Sequence, residues 1–223
     1  MMAESGFAYA LARLHARLAV RMGEPDWQQL EASLDLAHAL ELAGRMPVVR
    51  VTRQLSRASG VHAIEAALRQ ALSDDIAEVA GWLPPRWLAV ADWFAGLSDL
   101  RRRDFAAREA PRPEWFDESE EGWESAAVQW RSEWTKRIRA AGGAKGLDVA
   151  LAPMLSRFLW SGGAGAVPAP ILSWGALEAH FIKAFRTAGN GPVAVFAVLS
   201  LMLLDNERLR GLLVSRAVFA GGP

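Results

Sequence analysis

The chain has 223 residues, 52% of them hydrophobic, with 25 basic side chains against 25 acidic ones and no cysteine. The hydrophobic content excludes a disordered tail, the charge balance disfavours a protein that holds nucleic acid by its phosphates, and the lack of cysteine excludes disulfides and thiolate metal sites. The N-terminus lacks the pattern of a secretory signal, and the longest apolar run, within 193–204, is shorter than the roughly 20 residues that a bilayer requires. We therefore expect a cytoplasmic protein without a transmembrane segment.

Apolar residues recur at helical spacing from the beginning of the chain. They predict a first helix that starts at Ser5, a short second helix after Pro25, and a third helix that Ser33 caps and Gly44 ends. The segment 46–59 is less regular, and its Pro-Val-Val run allows an extended conformation.

Two longer stripes come next and predict two more helices. The first stripe covers about five turns and ends at Gly81 and the Pro84-Pro85 pair. The second stripe ends shortly before a run of three arginines. The expected inward faces consist of Val61, Ile64, Leu68, Leu72, Ile76 and Val79 on the first helix, then Trp87, Val90, Ala91, Phe94 and Leu97 on the second.

A proline-punctuated link at 110–113 is the best candidate for a boundary between two lobes, 1–109 and 110–223. Beyond the link, a helix with glutamates first and basic residues last matches the helix dipole. The pattern then predicts helices over 147–160, where Pro153 produces a kink or a late start, after Ser173, and over 193–217. Since no strand-like alternation is present, the expected fold is all-α, a two-lobed bundle of about eight to ten helices whose last helix packs back on the first.

The sequence offers few groups for chemistry. His38 lies three residues from both Asp35 and Glu41, but a helical di-iron site would need two Glu-x-x-His elements, and His62-x-x-Glu65 runs in the opposite order. We therefore predict no catalytic residue, no metal ion and no cofactor, and a protein that is not an enzyme. The alternative, an unrecognised hydrolase or metal enzyme, would need a pocket that gathers His38 or His62 with carboxylates.

Residues for contact with a partner are more plausible than residues for catalysis. The arginine run after the fifth predicted helix is either a solvated turn or a docking patch for an acidic partner. Tryptophans in Pro/Gly-rich stretches are candidate interface anchors, because tryptophan is enriched at binding hot spots. The predicted partner-binding residues are Arg101, Arg102, Arg103, Trp115, Trp160 and Trp174.

Four segments resemble, in order, parts of the C subunit of A-type and V-type ATPases, called subunit d in eukaryotic V-type enzymes. Segment 9–17 (YALARLHAR) is similar to the opening helix of that family, and 62–68 (HAIEAAL) to its next recognisable element. Segment 82–84 (WLP), with the helix that ends near 99–101, is similar to the family's succeeding element. Segment 198–216 (VLSLMLLDNERLRGLLVSR) is similar to the closing helix.

The resemblance implies a shortened and divergent version of that fold and a non-enzymatic adaptor. Such an adaptor would sit on the membrane rotor ring, receive the central stalk, and reach the cytoplasmic face of the membrane through the complex. The alternative function is a general helical protein-interaction module with no ATPase role, and neither function involves nucleic acid.

Overall fold

The computed structural model describes residues 5–97, 121–159 and 173–219, and all regular elements within those ranges are helical. This confirms the all-α prediction. In the described part of the chain, no helix is both long and apolar enough to cross a membrane. The α-helices in chain order are α1 (Ser5–Ala19), α2 (Glu24–Glu31), α3 (Leu36–Ala43), α4 (Val49–Thr52), α5 (Val61–Ala80), α6 (Leu88–Ala95), α7 (Glu121–Ala140), α8 (Leu147–Leu159), α9 (Trp174–Thr187) and α10 (Pro192–Phe219), with a 3₁₀ turn at Pro85–Trp87 before α6.

The local expectations differ from the structure at three places. Asp35, and not Ser33, caps α3, because its side chain accepts a hydrogen bond from the backbone N–H of His38 at 2.8 Å. The Pro-Val-Val run leads into the single turn of α4 and does not form an extended segment. Helix α8 begins at Leu147 and continues through Pro153, so this proline does not delay its start.

Helix α10 occupies the centre of the bundle. At 28 residues it is about 42 Å long, and it contacts α1, α3, α5, α8 and α9. Eight consecutive residues from Ala194 to Leu201 are buried, so this half of the helix is covered on all sides. The buried hydroxyl of Ser200 donates to the carbonyl of Phe196 at 2.8 Å and thus has a partner inside the helix.

The first half of α10 lies in a large hydrophobic cluster built from α1, α5 to α10 and the 3₁₀ turn. Phe196 is at its aromatic centre, with ring centroids 5.9 Å from Trp87, 5.6 Å from Phe94 and 5.4 Å from Trp134. These distances are typical of tilted and edge-to-face aromatic contacts, which stabilise the fold beyond the burial of apolar surface. The predicted inward tryptophans of two separate helical segments therefore converge on one ring.

The second half of α10 lies in a small hydrophobic cluster with α2, α3 and the first half of α5. Helices α5 and α10 run antiparallel, since Glu65 pairs with Arg210 and the Leu68 carbonyl with Asn206. Both helices thus take part in both clusters. The predicted inward stripe of α5 is buried from Ile64 to Val79, while Val61 at its start is half-exposed.

The large cluster contains residues from both sides of the predicted lobe boundary. Helix α1 also contacts α10, although the two are far apart in the sequence. The boundary segment at 110–113 lies outside the described residues, and the division into lobes 1–109 and 110–223 stays a prediction. Helices α1 and α10 thus contribute to the same large cluster.

Truncating the central ring tests this arrangement. We expect Phe196→Ala to lower the free energy of unfolding by about 3–5 kcal/mol, because three aromatic rings lose their common neighbour and a cavity remains. Urea denaturation followed by circular dichroism measures this change. Val149→Ala, at a side chain 76% exposed on α8, is the control and should stay within about 0.5 kcal/mol of wild type. Equal effects of the two substitutions would contradict a core centred on Phe196.

Candidate functional site

Where α10 leaves the large cluster, its sequence becomes polar, and these polar side chains reach other helices. The carboxylate of Asp205 accepts two hydrogen bonds from the Arg21 guanidinium, both at 2.6 Å, and Glu178 of α9 accepts another from the same group. The side-chain amide of Asn206 donates to the Leu68 carbonyl of α5 at 2.9 Å. One stretch of α10 is therefore fixed to the residues after α1, to α5 and to α9.

The next turn of α10 continues this pattern with two arginines. Arg208 donates to Glu24 at 2.9 Å and to Glu31 at 2.7 Å, both on α2, and its guanidinium lies 4.8 Å from the centre of the Trp27 ring. Arg210 donates to Glu207 on its own helix at 3.0 Å and to Glu65 on α5 at 3.3 Å. Polar side chains of segment 198–216 thus link α10 to α2 and α5.

The pKa values of these groups depend on burial and pairing. Burial lowers the pKa of Arg21, but its bonds to Asp205 and Glu178 outweigh this effect, so the pKa is raised. Burial raises the pKa of Asp205, and the hydrogen bonds from Arg21 only partly oppose that rise. The hydrogen bond from Arg208 lowers the pKa of Glu24. Burial therefore disfavours the charged form of Asp205, and the hydrogen bonds from Arg21 reduce this effect.

A cavity of about 330 Å³ opens beside this network. It lies among the end of α1 with the residues after it, α4 with the residues before it, α5 and α10. Leu72, Val198 and Met202 belong to its mostly apolar lining, and the charged lining residues are Arg17, Arg21, Arg50, Asp75 and Asp205. A mostly apolar cavity with a few converging charged groups is the usual form of a small-molecule site.

Asp75 is the acidic residue at the centre of the charges contributed by α1, α4 and α5. Its carboxylate lies 3.4 Å from Arg17 and 3.1 Å from Arg50, while Glu78 also contacts both arginines. Burial raises the pKa of Asp75, against the effect of both arginines, and the like charge of Glu78 raises it further. Arginines with two perturbed carboxylates suit the binding and orientation of a charged ligand better than proton transfer, because a guanidinium stays protonated.

The histidines do not join the cavity. Within the described ranges, no group of three or more histidines and acidic residues is placed to hold a metal ion. The backbone of His38 donates to the cap of α3, His62 is exposed, and the His180 ring lies 2.8 Å from the Ala150 carbonyl. The spacing of Asp35 and His38 therefore reflects helix capping.

Of the predicted partner-binding residues, Arg101, Arg102, Arg103, Trp115 and Trp160 lie outside the described residues. Trp174 is described: it begins α9, which Ser173 caps, and it is half-buried. Its side chain lines an open groove of about 280 Å³ together with Arg208, Gly211 and Arg216 of α10. Trp174 thus lies at a surface depression, and the cavity beside Asp75 is a site that the sequence patterns did not indicate.

Comparisons with known proteins do not assign the chain to a family. Neither a family model, nor a curated protein, nor a solved structure matches it.

The link between Arg21 and Asp205 can be tested by a double-mutant cycle. We expect Asp205→Asn to lower the free energy of unfolding by about 1–3 kcal/mol, because Arg21 loses its two-bond partner and keeps only the bond to Glu178. Combined with Arg21→Met, the cycle should give a coupling energy of about 1–3 kcal/mol. The matched control is Glu41→Gln in the exposed Glu41–Arg45 pair, with an expected change below about 0.5 kcal/mol. Strict additivity at Arg21 and Asp205 would contradict the direct link.

Asp75 predicts a specific pH dependence. Because burial raises its pKa above the ordinary 3.8, the folded chain binds this proton at a higher pH than the unfolded chain does. The resulting contribution to stability is complete below pH 3.8 and is lost as the pH rises through the folded-state pKa. The free energy of unfolding of wild type minus that of Asp75→Asn should therefore fall as the pH rises from 3.8 toward neutrality. Urea titrations at a series of pH values measure this difference, and an increase with pH would show that the sign is wrong.

Proposed function

We propose that this chain is a non-enzymatic helical adaptor similar to the C/d subunit of A-type and V-type ATPases, which couples the membrane rotor ring to the central stalk. The observation that supports this best is the direct joining of helices that carry the resemblance. Helices α1 and α5 both pack on α10, and they also pair with each other through Arg17 and Asp75. Segments far apart in the chain thus form one unit, as a shared structural role requires.

The use of charge in this unit also favours an adaptor over an enzyme. Arg21, Arg208 and Arg210 each pair with carboxylates on other helices and hold the bundle together. A scaffold that transmits force needs such cross-links, while a catalytic site needs groups that face a substrate. In this proposal the partners are ring and stalk subunits, and the chain reaches the cytoplasmic face of the membrane through them.

A second candidate is a helical protein-interaction module without an ATPase role. The groove between Trp174 and α10 supports it, since a half-buried tryptophan beside Gly211 and Arg216 offers both an apolar and a charged contact. The two candidates differ in the partner and share the expectation that Trp174 lies at the interface.

Reconstitution with the ring and stalk subunits encoded in the same genome separates the candidates. For the adaptor, we expect the purified chain to co-elute with the stalk subunits and to sediment with ring-containing vesicles. Trp174→Ala should weaken this association about tenfold or more, as at an interface hot spot. Val149→Ala is the control at an exposed residue of α8 and should bind like wild type.

Thermal unfolding of both variants distinguishes a binding defect from a folding defect. If the folded chain associates with neither the ring nor the stalk, the adaptor proposal is wrong. If Trp174→Ala weakens binding only because it lowers stability, Trp174 is not part of the interface.

A further inference from the structure

We propose that the cavity beside Asp75 binds a small amphipathic anion, with its apolar chain against Leu72 and Met202 and its anionic group paired with Arg50. This site is separate from the adaptor role and from the groove at Trp174. It assigns to the chain a ligand class, medium-chain carboxylates.

The position of the cavity is the reason for proposing a ligand with an apolar part. The cavity lies where the large and small hydrophobic clusters meet, so that Leu72 and Val198 of one cluster and Met22 and Leu209 of the other line the same space. Its volume of about 330 Å³ is within the range of small-molecule sites. An alkyl chain placed there would remove further apolar surface from water, and this burial favours binding.

Arg50 is the reason for proposing a ligand with an anionic group. Its side chain is 57% exposed and lies near two carboxylates, 3.1 Å from Asp75 and 3.5 Å from Glu78. In the part of the chain that the structure describes, these ion pairs lack hydrogen-bond geometry, whereas Arg17 and Arg21 donate hydrogen bonds to their acidic partners. Arg50 therefore offers N–H groups at the cavity that can donate hydrogen bonds to a carboxylate. A guanidinium group favours a two-bond geometry for such a pair.

The acidic residues of the lining leave little room for a cation. Both oxygens of Asp205 accept bonds from Arg21, and one oxygen of Asp75 lies near both Arg17 and Arg50. The lining contains three guanidinium groups and two carboxylates, while Glu78 and Glu178 approach the arginines from outside the lining. A bound anion would thus gain a hydrogen-bonding partner in Arg50, while both oxygens of Asp205 already have Arg21 as their partner.

Isothermal titration calorimetry of the full chain with three eight-carbon probes tests the proposal. The probes are octanoate, octylammonium and octanol, which share the alkyl chain and differ in charge. We expect octanoate to bind with a stoichiometry of one and to raise the melting temperature, and the other two probes to bind at least about tenfold more weakly. Tighter binding of octylammonium, or equal binding of octanol, would overturn the assignment of an anion.

Two variants locate the site. Arg50→Ala should weaken octanoate binding about tenfold or more, while Arg53→Ala, at an exposed arginine three residues further that does not line the cavity, should bind like wild type. Val51→Phe places a larger side chain in the lining and should weaken all binding of octanoate, with circular dichroism confirming that the variant is folded. Equal effects of Arg50→Ala and Arg53→Ala, or binding unchanged in Val51→Phe, would show that octanoate does not occupy this cavity.

Discussion

The fold depends on the complete burial of the first half of α10. A helix that is apolar around its whole circumference is unstable in water, and other helices have to surround it. The burial of Ala194 to Leu201 shows this requirement directly, since α1, α5, α8 and α9 all pack on this helix. Phe196 then fixes how α6 and α7 approach, because their aromatic rings meet at its ring.

The polar half of α10 reflects the same central position. Charged residues on a surface helix are solvated and need no partner, but Asp205 and Arg210 lie between helices and have lost much of their water. Each has a counter-charge on another element, at Arg21 and Glu65. The polar half of α10 therefore has a structural role in this chain.

The helices and their inward faces could be predicted because helical spacing is a local property of the sequence. The stripes containing Phe94 and Trp134 identified buried residues, but not that both rings contact Phe196. The cap of α3 shows why some local rules fail: Ser33 is a good capping residue, yet its hydroxyl accepts a hydrogen bond from Arg216, on the far end of α10. The cavity escaped prediction since its lining combines four segments that are distant in the chain, and no local pattern shows that they meet.

The length of α10 has a mechanical consequence. The helix is a continuous rod of hydrogen-bonded backbone, embedded at one end in the large cluster and at the other in the small one. Helices α2 and α3 at one end and α8 and α9 at the other are therefore connected through a single helix, without an intervening loop. An axial displacement of α10 relative to α5 would break the hydrogen bond from Asn206 to the Leu68 carbonyl, so this bond ties the position of one helix to that of the other.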